Sequence, residues 1–380
     1  MSYKVLARKW RPTKFSEVVG QEHVLKSLIS ALDNDRIHHA YLLTGTRGVG
    51  KTTLARILAR CLNCESGVGS EPCGQCSACK EIEEGRFVDL IEVDAASRTK
   101  VEDTRDLLDN VQYLPARARY KVYLIDEVHM LSTHSFNALL KTLEEPPGHV
   151  KFLFATTDPQ KLPVTVLSRC LQFNLKNLAP AEIAEYLAEV LCQEGVEFDD
   201  TALWQLAIAA NGSMRDALTL ADQGISHCSD KFTEESISEM LGVPTSEQIV
   251  VLLRAMAERD VKEVLLVIQK IEDKAVDYIN YLDNLLAAFH QIMLAQVDVE
   301  LINEHGVNAA EFKELAKLFA AEDVQLYYQL GLKGRIEISL AATVRSAFEM
   351  LILRMMLFSP AYLEPTENLT IDSDDQKKKT

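Results

Sequence analysis

Gly45-Thr46-Arg47-Gly48-Val49-Gly50-Lys51-Thr52 is the stretch from which the fold is read. It fits G-x-x-x-x-G-K-[ST], follows directly on an apolar run at 40–44, and opens a segment in which Leu54, Ile57, Leu58 and Cys61 fall on one helical face. Strand, glycine loop and helix are the surroundings this motif requires. The glycines permit backbone angles that turn successive N–H groups onto a β-phosphate, and the helix N-terminus adds a dipole favourable to an anion. Lys51 is expected to reach the β- and γ-phosphates of ATP, and the Thr52 hydroxyl to ligate Mg²⁺. Gly45, Thr46, Arg47, Gly48, Val49, Gly50 and Thr53 complete the expected cradle.

Downstream, Lys121-Val122-Tyr123-Leu124-Ile125-Asp126-Glu127 ends a mostly apolar run in two adjacent carboxylates. Ligands of open α/β sheets bind at such strand ends. Asp126 is expected to hold Mg²⁺ and Glu127 to polarise the attacking water. His38, His39 and His129 read as packing or solvent-facing residues.

Further runs at 88–93, 150–155 and 170–175 are almost all apolar rather than alternating, as in parallel strands buried on both faces. Helical patterns at 101–111 and 134–145 lie among them, the second stopped by Pro146-Pro147. The expected fold is α/β, a parallel sheet with helices on both faces. From Ala179 the strand signal disappears, and 181–194, 201–210, 214–227 and 234–241 read as four short helices. Beyond 242–245 come longer amphipathic helices. One carries Val276, Ile279, Leu282, Leu286, Phe289 and Met293 at three- and four-residue spacing, which reads as core packing, or as packing plus a self-association surface. The domains expected are 1–178 for nucleotide binding, with a cysteine module at 61–80, then 179–242 as a small helical domain, 243–365 as a second helical domain, and a disordered polar tail at 366–380.

A chain of 380 residues is long enough for two or three domains. Forty basic and 56 acidic residues leave 40 − 56 = −16 charges, the wrong sign for a protein that coats nucleic acid. Any such contact is expected to be local. The candidate is Ser97-Arg98-Thr99-Lys100, followed by a helical pattern carrying Arg105, where Arg98, Lys100 and Arg105 could meet phosphates without reading bases; the alternative is a solvated, capped loop. Residues 1–11 are polar and basic with no apolar region after them, and the apolar stretch at 350–358 is short and interrupted by Arg354. A cytoplasmic location is expected.

Cys64, Cys73, Cys76 and Cys79 are spaced C-x8-C-x2-C-x2-C, with Gly67, Gly69, Pro72 and Gly74 among them. In an intracellular chain this reads as a closed, structural four-thiolate zinc site, an iron–sulfur cluster being the rival. Cys61 falls on the apolar face of the helix after the glycine loop and reads as core.

With these motifs placed, the chain resembles the bacterial DNA polymerase III gamma/tau clamp-loader family. The resemblance runs from Ser2 to about Leu363. It is carried by Val5-Leu6-Ala7-Arg8-Lys9-Trp10-Arg11-Pro12, Val19-Gly20-Gln21-Glu22, Asp126-Glu127-Val128-His129, Leu143-Glu144-Glu145-Pro146-Pro147, Ala155-Thr156-Thr157-Asp158-Pro159 and Ser168-Arg169-Cys170. It implies an AAA+ nucleotide-binding domain, a helical lid and a helical collar. It implies that Thr157 senses the γ-phosphate, that Arg169 acts as an arginine finger on a neighbouring subunit's ATP, and that Arg215 reads its own nucleotide from the lid. Ala7, Arg11, Pro12, Val18 and Val19 become an adenine pocket, and zinc is implied at the four cysteines. The implied activity is ATP-driven opening and loading of a sliding clamp on primer–template DNA. The implied partners are other subunits of a hetero-pentameric ring, with self-association, the clamp and the DNA backbone. The longer tau form continues into segments that bind polymerase and helicase, and those activities are not carried over.

Two other function classes fit the same nucleotide motifs. A helicase or branch-migration motor would need a winged helix after the lid, where long amphipathic helices stand instead. A scaffold that binds ATP without hydrolysis is opposed by intact Lys51, Thr52, Asp126 and Glu127.

Overall fold

A computed structural model of the chain describes residues 5–97, 110–228, 231–273, 277–298 and 309–358. The chain divides into two compact units, Met1–Glu197 with Leu206–Ser229, and Phe198–Gln205 with Asp230–Thr380. The expected 179–242 segment is therefore shared between them.

The first unit contains α1 (Leu6–Lys9), α2 (Glu22–Asp33), β1 (Ala40–Thr44), α3 (Lys51–Asn63), α4 (Ser77–Glu84), β2 (Leu90–Asp94), β3 (Lys121–Asp126), α5 (Thr133–Glu144), β4 (Val150–Thr156), α6 (Val164–Leu167), β5 (Leu171–Asn174) and α7 (Pro180–Glu194). Helix α8 (Asp200–Ala209) crosses the division, and α9 (Met214–His227) returns to the first unit. The five strands are parallel in the order β2-β3-β4-β1-β5. Every residue of β1 and β4 is buried. Alternate residues face two apolar layers. Tyr41, Leu43, Val122, Leu124 and Leu153 meet Leu54, Ile57, Leu58 and Leu62 of α3, while Leu42, Tyr123, Ile125, Phe152 and Phe154 meet Phe136, Leu139 and Leu143 of α5. The α/β sheet with helices on both faces is the fold that the apolar runs predict.

Two expectations need correction. The run at 170–175 is not buried on both sides. Cys170 lies ahead of β5, and β5 is an edge strand of mostly exposed residues, with Leu171 at 43%. Nor do strands cease after Ala179, since Glu197–Phe198 and Lys231–Phe232 are two-residue strands, too short for any periodic signal. Most of the 101–111 pattern lies outside the described residues, as does the 366–380 tail.

The second unit holds α10 (Glu234–Leu241), α11 (Ser246–Ala257), α12 (Val261–Asp273), α13 (Tyr278–Val297), α14 (Ala309–Leu318), α15 (Ala321–Glu337) and α16 (Val344–Leu357). Its core gathers Tyr281, Phe289, Tyr327 and Phe348. On α13, Leu282, Leu286 and Phe289 are buried in that core and Ile279 and Met293 pack against it, so the stripe serves the unit's own packing. Val276 lies outside the described residues. Among the described residues no helix is long and apolar enough to cross a membrane.

Candidate nucleotide site and cysteine cluster

The glycine loop leaves the C-terminal end of β1, between β4 and β5. Gly45 has φ +144°, and a Cβ there would stand 2.7 Å from the Leu175 carbonyl oxygen. Gly48 has φ +82°, and its Cβ would collide with Ser213, the residue that caps α9 through its hydroxyl. These are positions where L side chains are strained and space is closed as well.

Lys51 is 5% exposed, and its Nζ donates to the carbonyls of Gly45 at 2.8 Å and Thr46 at 2.7 Å. Burial lowers its pKa, against the opposing charges of Glu127 and Asp126. Thr52 Oγ1 donates to Asp126 Oδ2 at 2.6 Å, joining two motifs 74 residues apart. Glu127, just past β3, adopts φ +47°, which for a residue with a Cβ costs about 1–3 kcal/mol. Its Oε2 accepts from the Thr157 hydroxyl at 2.9 Å and from the Thr157 N–H at 3.2 Å. His129 Nδ1 lies 2.8 Å from the hydroxyl of fully buried Thr156 and 3.4 Å from Glu127 Oε2. This histidine, read from sequence as packing or solvent-facing, thus lies beside the candidate water-activating carboxylate. A helical turn opens at Val128, directly after Glu127, and that nearness was the available signal.

A cavity of about 780 Å³ opens over these groups, within the usual range for small-molecule sites. Of the residues expected from sequence it is lined by Ala7, Arg11, Pro12, Val18, Val19, by 47–53 of the loop, and by Asp126, Glu127 and Arg215. Gly45, Thr46, Thr157 and Arg169 are not in its wall. Leu218, Thr219 and Tyr186 line it and were not expected. Leu218 and Thr219 stand three and four positions after Arg215 on α9, so a helical projection from Arg215 would have found them. Tyr186 comes from α7 and has no such signal.

The N-terminal segment straps this cavity to α7 and α9. Leu6 N–H donates to Asp222 Oδ2 at 2.7 Å, Trp10 Nε1 to Glu194 Oε1 at 2.7 Å, and the Tyr186 hydroxyl to the Trp10 carbonyl at 3.2 Å. Arg11 Nε donates to Thr53 Oγ1 at 3.1 Å. Burial, then the nearby cations Arg56 and Arg215, pull the Arg11 guanidinium down to about 10 despite Glu92 and Asp126.

Arg169 stands elsewhere. It donates to Glu144 Oε1 and to the Thr165 carbonyl, each at 2.8 Å, and lines a separate cavity of about 450 Å³ with His38, His39 and Glu144. Arg98, Lys100 and Arg105 lie outside the described residues.

The sulfurs of Cys64, Cys73, Cys76 and Cys79 all lie within 4.8 Å of one another, with Cys73 and Cys79 4.0 Å apart. Around a tetrahedral ion with metal–sulfur bonds of about 2.3 Å, sulfurs stand about 3.8 Å apart, so the cluster fits such an ion after slight contraction. The N–H groups of Cys73, Cys76 and Cys79 point at the sulfurs of Cys64, Cys73 and Cys76 at 3.3, 3.4 and 3.4 Å. Backbone N–H donors from Cys76 and Gln75 draw the Cys73 thiol down to about 6, favouring the thiolate a metal needs, whereas burial pushes Cys79 up to about 12. Cys61 stands outside the cluster, fully buried, donating to the Ser70 carbonyl at 3.5 Å.

Three family models match the chain: DNA polymerase III, delta subunit, over 20–179; DNA polymerase III clamp loader subunit, ATPase lid domain, over 182–230; and DNA polymerase III subunits gamma and tau domain III over 232–369. The Escherichia coli (strain K12) DNA polymerase III subunit tau is 55% identical over 361 residues, 95% of this chain and 56% of that protein. The DNA polymerase III subunit gamma of Buchnera aphidicola subsp. Schizaphis graminum is 44% identical over 356 residues, 93% of this chain and 98% of that one. The chain thus spans about half the length of its tau relatives and nearly all of the shorter gamma relative. A Thermotoga maritima RuvB Holliday junction branch migration motor aligns with a TM-score of 0.48 at 22% identity, over 66% of this chain and 80% of that one. The identity and coverage to the gamma relative, with the domain III and lid matches, place the chain in the DNA polymerase III gamma/tau subunit family.

Proposed function

We propose that the chain is the ATP-hydrolysing motor subunit of a replicative clamp loader, which uses ATP to open a sliding clamp and load it on primer–template DNA. The observation that carries this is the direct bond between Thr52 and Asp126 on the floor of the cavity, with Glu127 beside it. Those two oxygens are the hard donors Mg²⁺ takes, and Mg²⁺ supplies neutralisation of phosphate charge. Lys51 exchanges the Gly45 and Thr46 carbonyls for β- and γ-phosphate oxygens. Glu127 exchanges Thr157 for the attacking water and takes its proton, and freed Thr157 then contacts the γ-phosphate or that water. Arg215 reads the nucleotide from the lid side of the same cavity, and the strap residues Ala7, Arg11, Pro12, Val18 and Val19 take the adenine.

Arg169, outside its own chain's cavity, acts in trans on a neighbouring subunit in a hetero-pentameric ring. Where arginine fingers are characterised they contribute about 10³–10⁵ in rate. The four cysteines hold a structural zinc, Arg98, Lys100 and Arg105 contact DNA phosphates, and the protein works in the cytoplasm. Its domains are 1–178, 179–242 and 243–365.

Steady-state ATPase measurements with and without primed DNA, clamp and partner subunits test the proposal. Slow basal turnover, raised by assembly and again by clamp and primed DNA, is expected. Stimulation by branched DNA without the clamp would favour a branch-migration motor, and tight binding with no turnover in any mixture a scaffold. Mixing chains carrying only Arg169→Ala with chains carrying only Lys51→Ala restores some intact loop–finger pairs. Verified mixed assemblies that recover no activity would remove Arg169 from a role in trans.

A further inference from the structure

A zinc ion with four thiolates carries 4 × (−1) + 2, a net charge of −2, and two of its four proposed ligands, Cys64 and Cys79, are 2% and 0% exposed. Taking that charge out of water costs several kcal/mol per ion unless a counter-ion accompanies it. The cysteine module offers none of its own that is buried, since between Cys64 and Cys79 the only basic residues would have to come from a stretch composed of Glu, Ser, Gly, Val, Pro, Gln and Ala. The cation comes from α3.

Arg60, on the last turn of α3, is 4% exposed. A Cβ placed on Gly74, inside the cysteine turn, would lie 3.7 Å from its Nη2. Nη1 donates to the Thr13 carbonyl at 3.2 Å and Nη2 to Glu83 Oε2 at 3.1 Å. Its Nε is buried with no acceptor. Glu83 is half-exposed, so water screens its charge. A second guanidinium, Arg119, is exposed and reaches the carbonyl oxygens of Cys64 and Glu65, at 2.6 and 3.2 Å.

We propose that Arg60 is the buried countercharge of the four-cysteine site, a positioning residue that sets zinc affinity from the helix that begins at the glycine loop. This rests on the zinc reading above, and the test separates the two. Metal analysis of the full purified chain comes first, and a chain without zinc sinks the zinc reading itself. With zinc present, competition against a chromophoric chelator gives the affinity of each variant. Arg60→Met is expected to weaken zinc binding by about 10–100-fold, as loss of a ligand-supporting group does elsewhere. Arg60→Lys, keeping the charge, is expected to lose less than about tenfold, and Arg119→Met about threefold or less. Arg60→Gln keeps donors and size without charge, and it stands in if Arg60→Met does not fold.

Cys73→His supplies the readout that packing alone would not move. It lowers the site's charge to −1, so removing the Arg60 charge in that background should cost distinctly less in zinc affinity than in the parent. An equal penalty in both backgrounds, or zinc affinity in Arg60→Gln matching Arg60→Lys, would overturn the proposal and leave Arg60 as a packing residue.

Discussion

The nucleotide cavity and the cysteine module occupy opposite ends of one helix. Lys51 opens α3 and Cys64 follows its last residue, about 20 Å away at helical rise. At the N-terminal end the site is made by backbone. Strand ends, loop amides and a helix N-terminus are fixed by two apolar layers, and these shape the cavity. At the C-terminal end the order reverses. Of residues 65–77 only Pro72 is buried, and what converges are four sulfurs. One site is imposed by the fold, while the proposed zinc would make the other depend on its ligand. Experiments that remove one and read the other test how separate they are.

Cys76→Ala carries the largest expected effect. Structural zinc contributes on the order of 10–16 kcal/mol in small zinc modules, so losing a ligand should take the metal content from one per chain to none and expose the module to protease. Nucleotide affinity should stay within about threefold of the parent, because α3 keeps its packing on the sheet. Metal analysis, limited proteolysis and nucleotide titration on one preparation decide the point, and a collapse of nucleotide binding would show that the cavity depends on the module.

The reverse experiment is Glu127→Gln. General-base catalysis is worth about 10²–10⁴ in rate, and turnover should fall by that much while nucleotide affinity and zinc content hold. The amide can still accept from Thr157, so the left-handed backbone at Glu127 need not change. Retained turnover would move the base elsewhere, His129 being the nearest alternative at 3.4 Å.

Gly48→Ala strikes the cavity through backbone. Its positive φ and the clash with Ser213 should cost about 1–3 kcal/mol, read as a lowered Tm and an approximately tenfold weaker nucleotide affinity, with zinc unaffected. Adding Ser213→Gly removes the collision but not the strained angle, so recovery should be partial. Full recovery would mean that only the contact mattered.

The same contrast explains which parts of the molecule were legible in sequence. Buried strands announce themselves because both faces are apolar, and β1, β3 and β4 lie within a residue of their runs at 40–44, 121–125 and 150–155. Strand β5 at the sheet edge has one uncovered face, so its apolar run overstated its burial. Helices α7 and α9 carried their stops in sequence, such as Pro180 at the start of α7 and Gly195 at its end. The nucleotide residues that sit inside a local motif could be named beforehand. Tyr186 could not, because its place depends on α7 folding back onto the cavity, and His129 carried only its nearness to Glu127 as a signal. Arg60 was equally silent: a basic residue near the end of a helix is ordinary, and only the tertiary structure buries it beside the cysteine turn at Gly74.

The smallest expected effect comes from the strap, which touches both regions and could undo their separation. Trp10 Nε1 donates to Glu194, and Thr13, three residues on, offers its carbonyl to Arg60. Trp10→Phe deletes one hydrogen bond and keeps an aromatic ring. Glu194 retains Lys9 at 2.6 Å, so no carboxylate is stranded, and the cost should be near the low end for a bond to a charged group, about 1.5 kcal/mol. If that energy holds the strap against α7, and the strap walls the cavity with Ala7, Arg11 and Pro12, nucleotide affinity should fall by about threefold to tenfold. Zinc affinity separates two cases. The Thr13–Arg60 bond comes from a backbone carbonyl beyond Pro12 and is anchored locally by Glu17, whose Oε2 accepts from the Thr13 N–H at 2.7 Å and from its hydroxyl at 3.0 Å. That local anchor should insulate the module, leaving zinc affinity unchanged while nucleotide affinity drops. A parallel fall in both would mean that the strap transmits its position past the Glu17 anchor, so that the two ends of α3 act as one site.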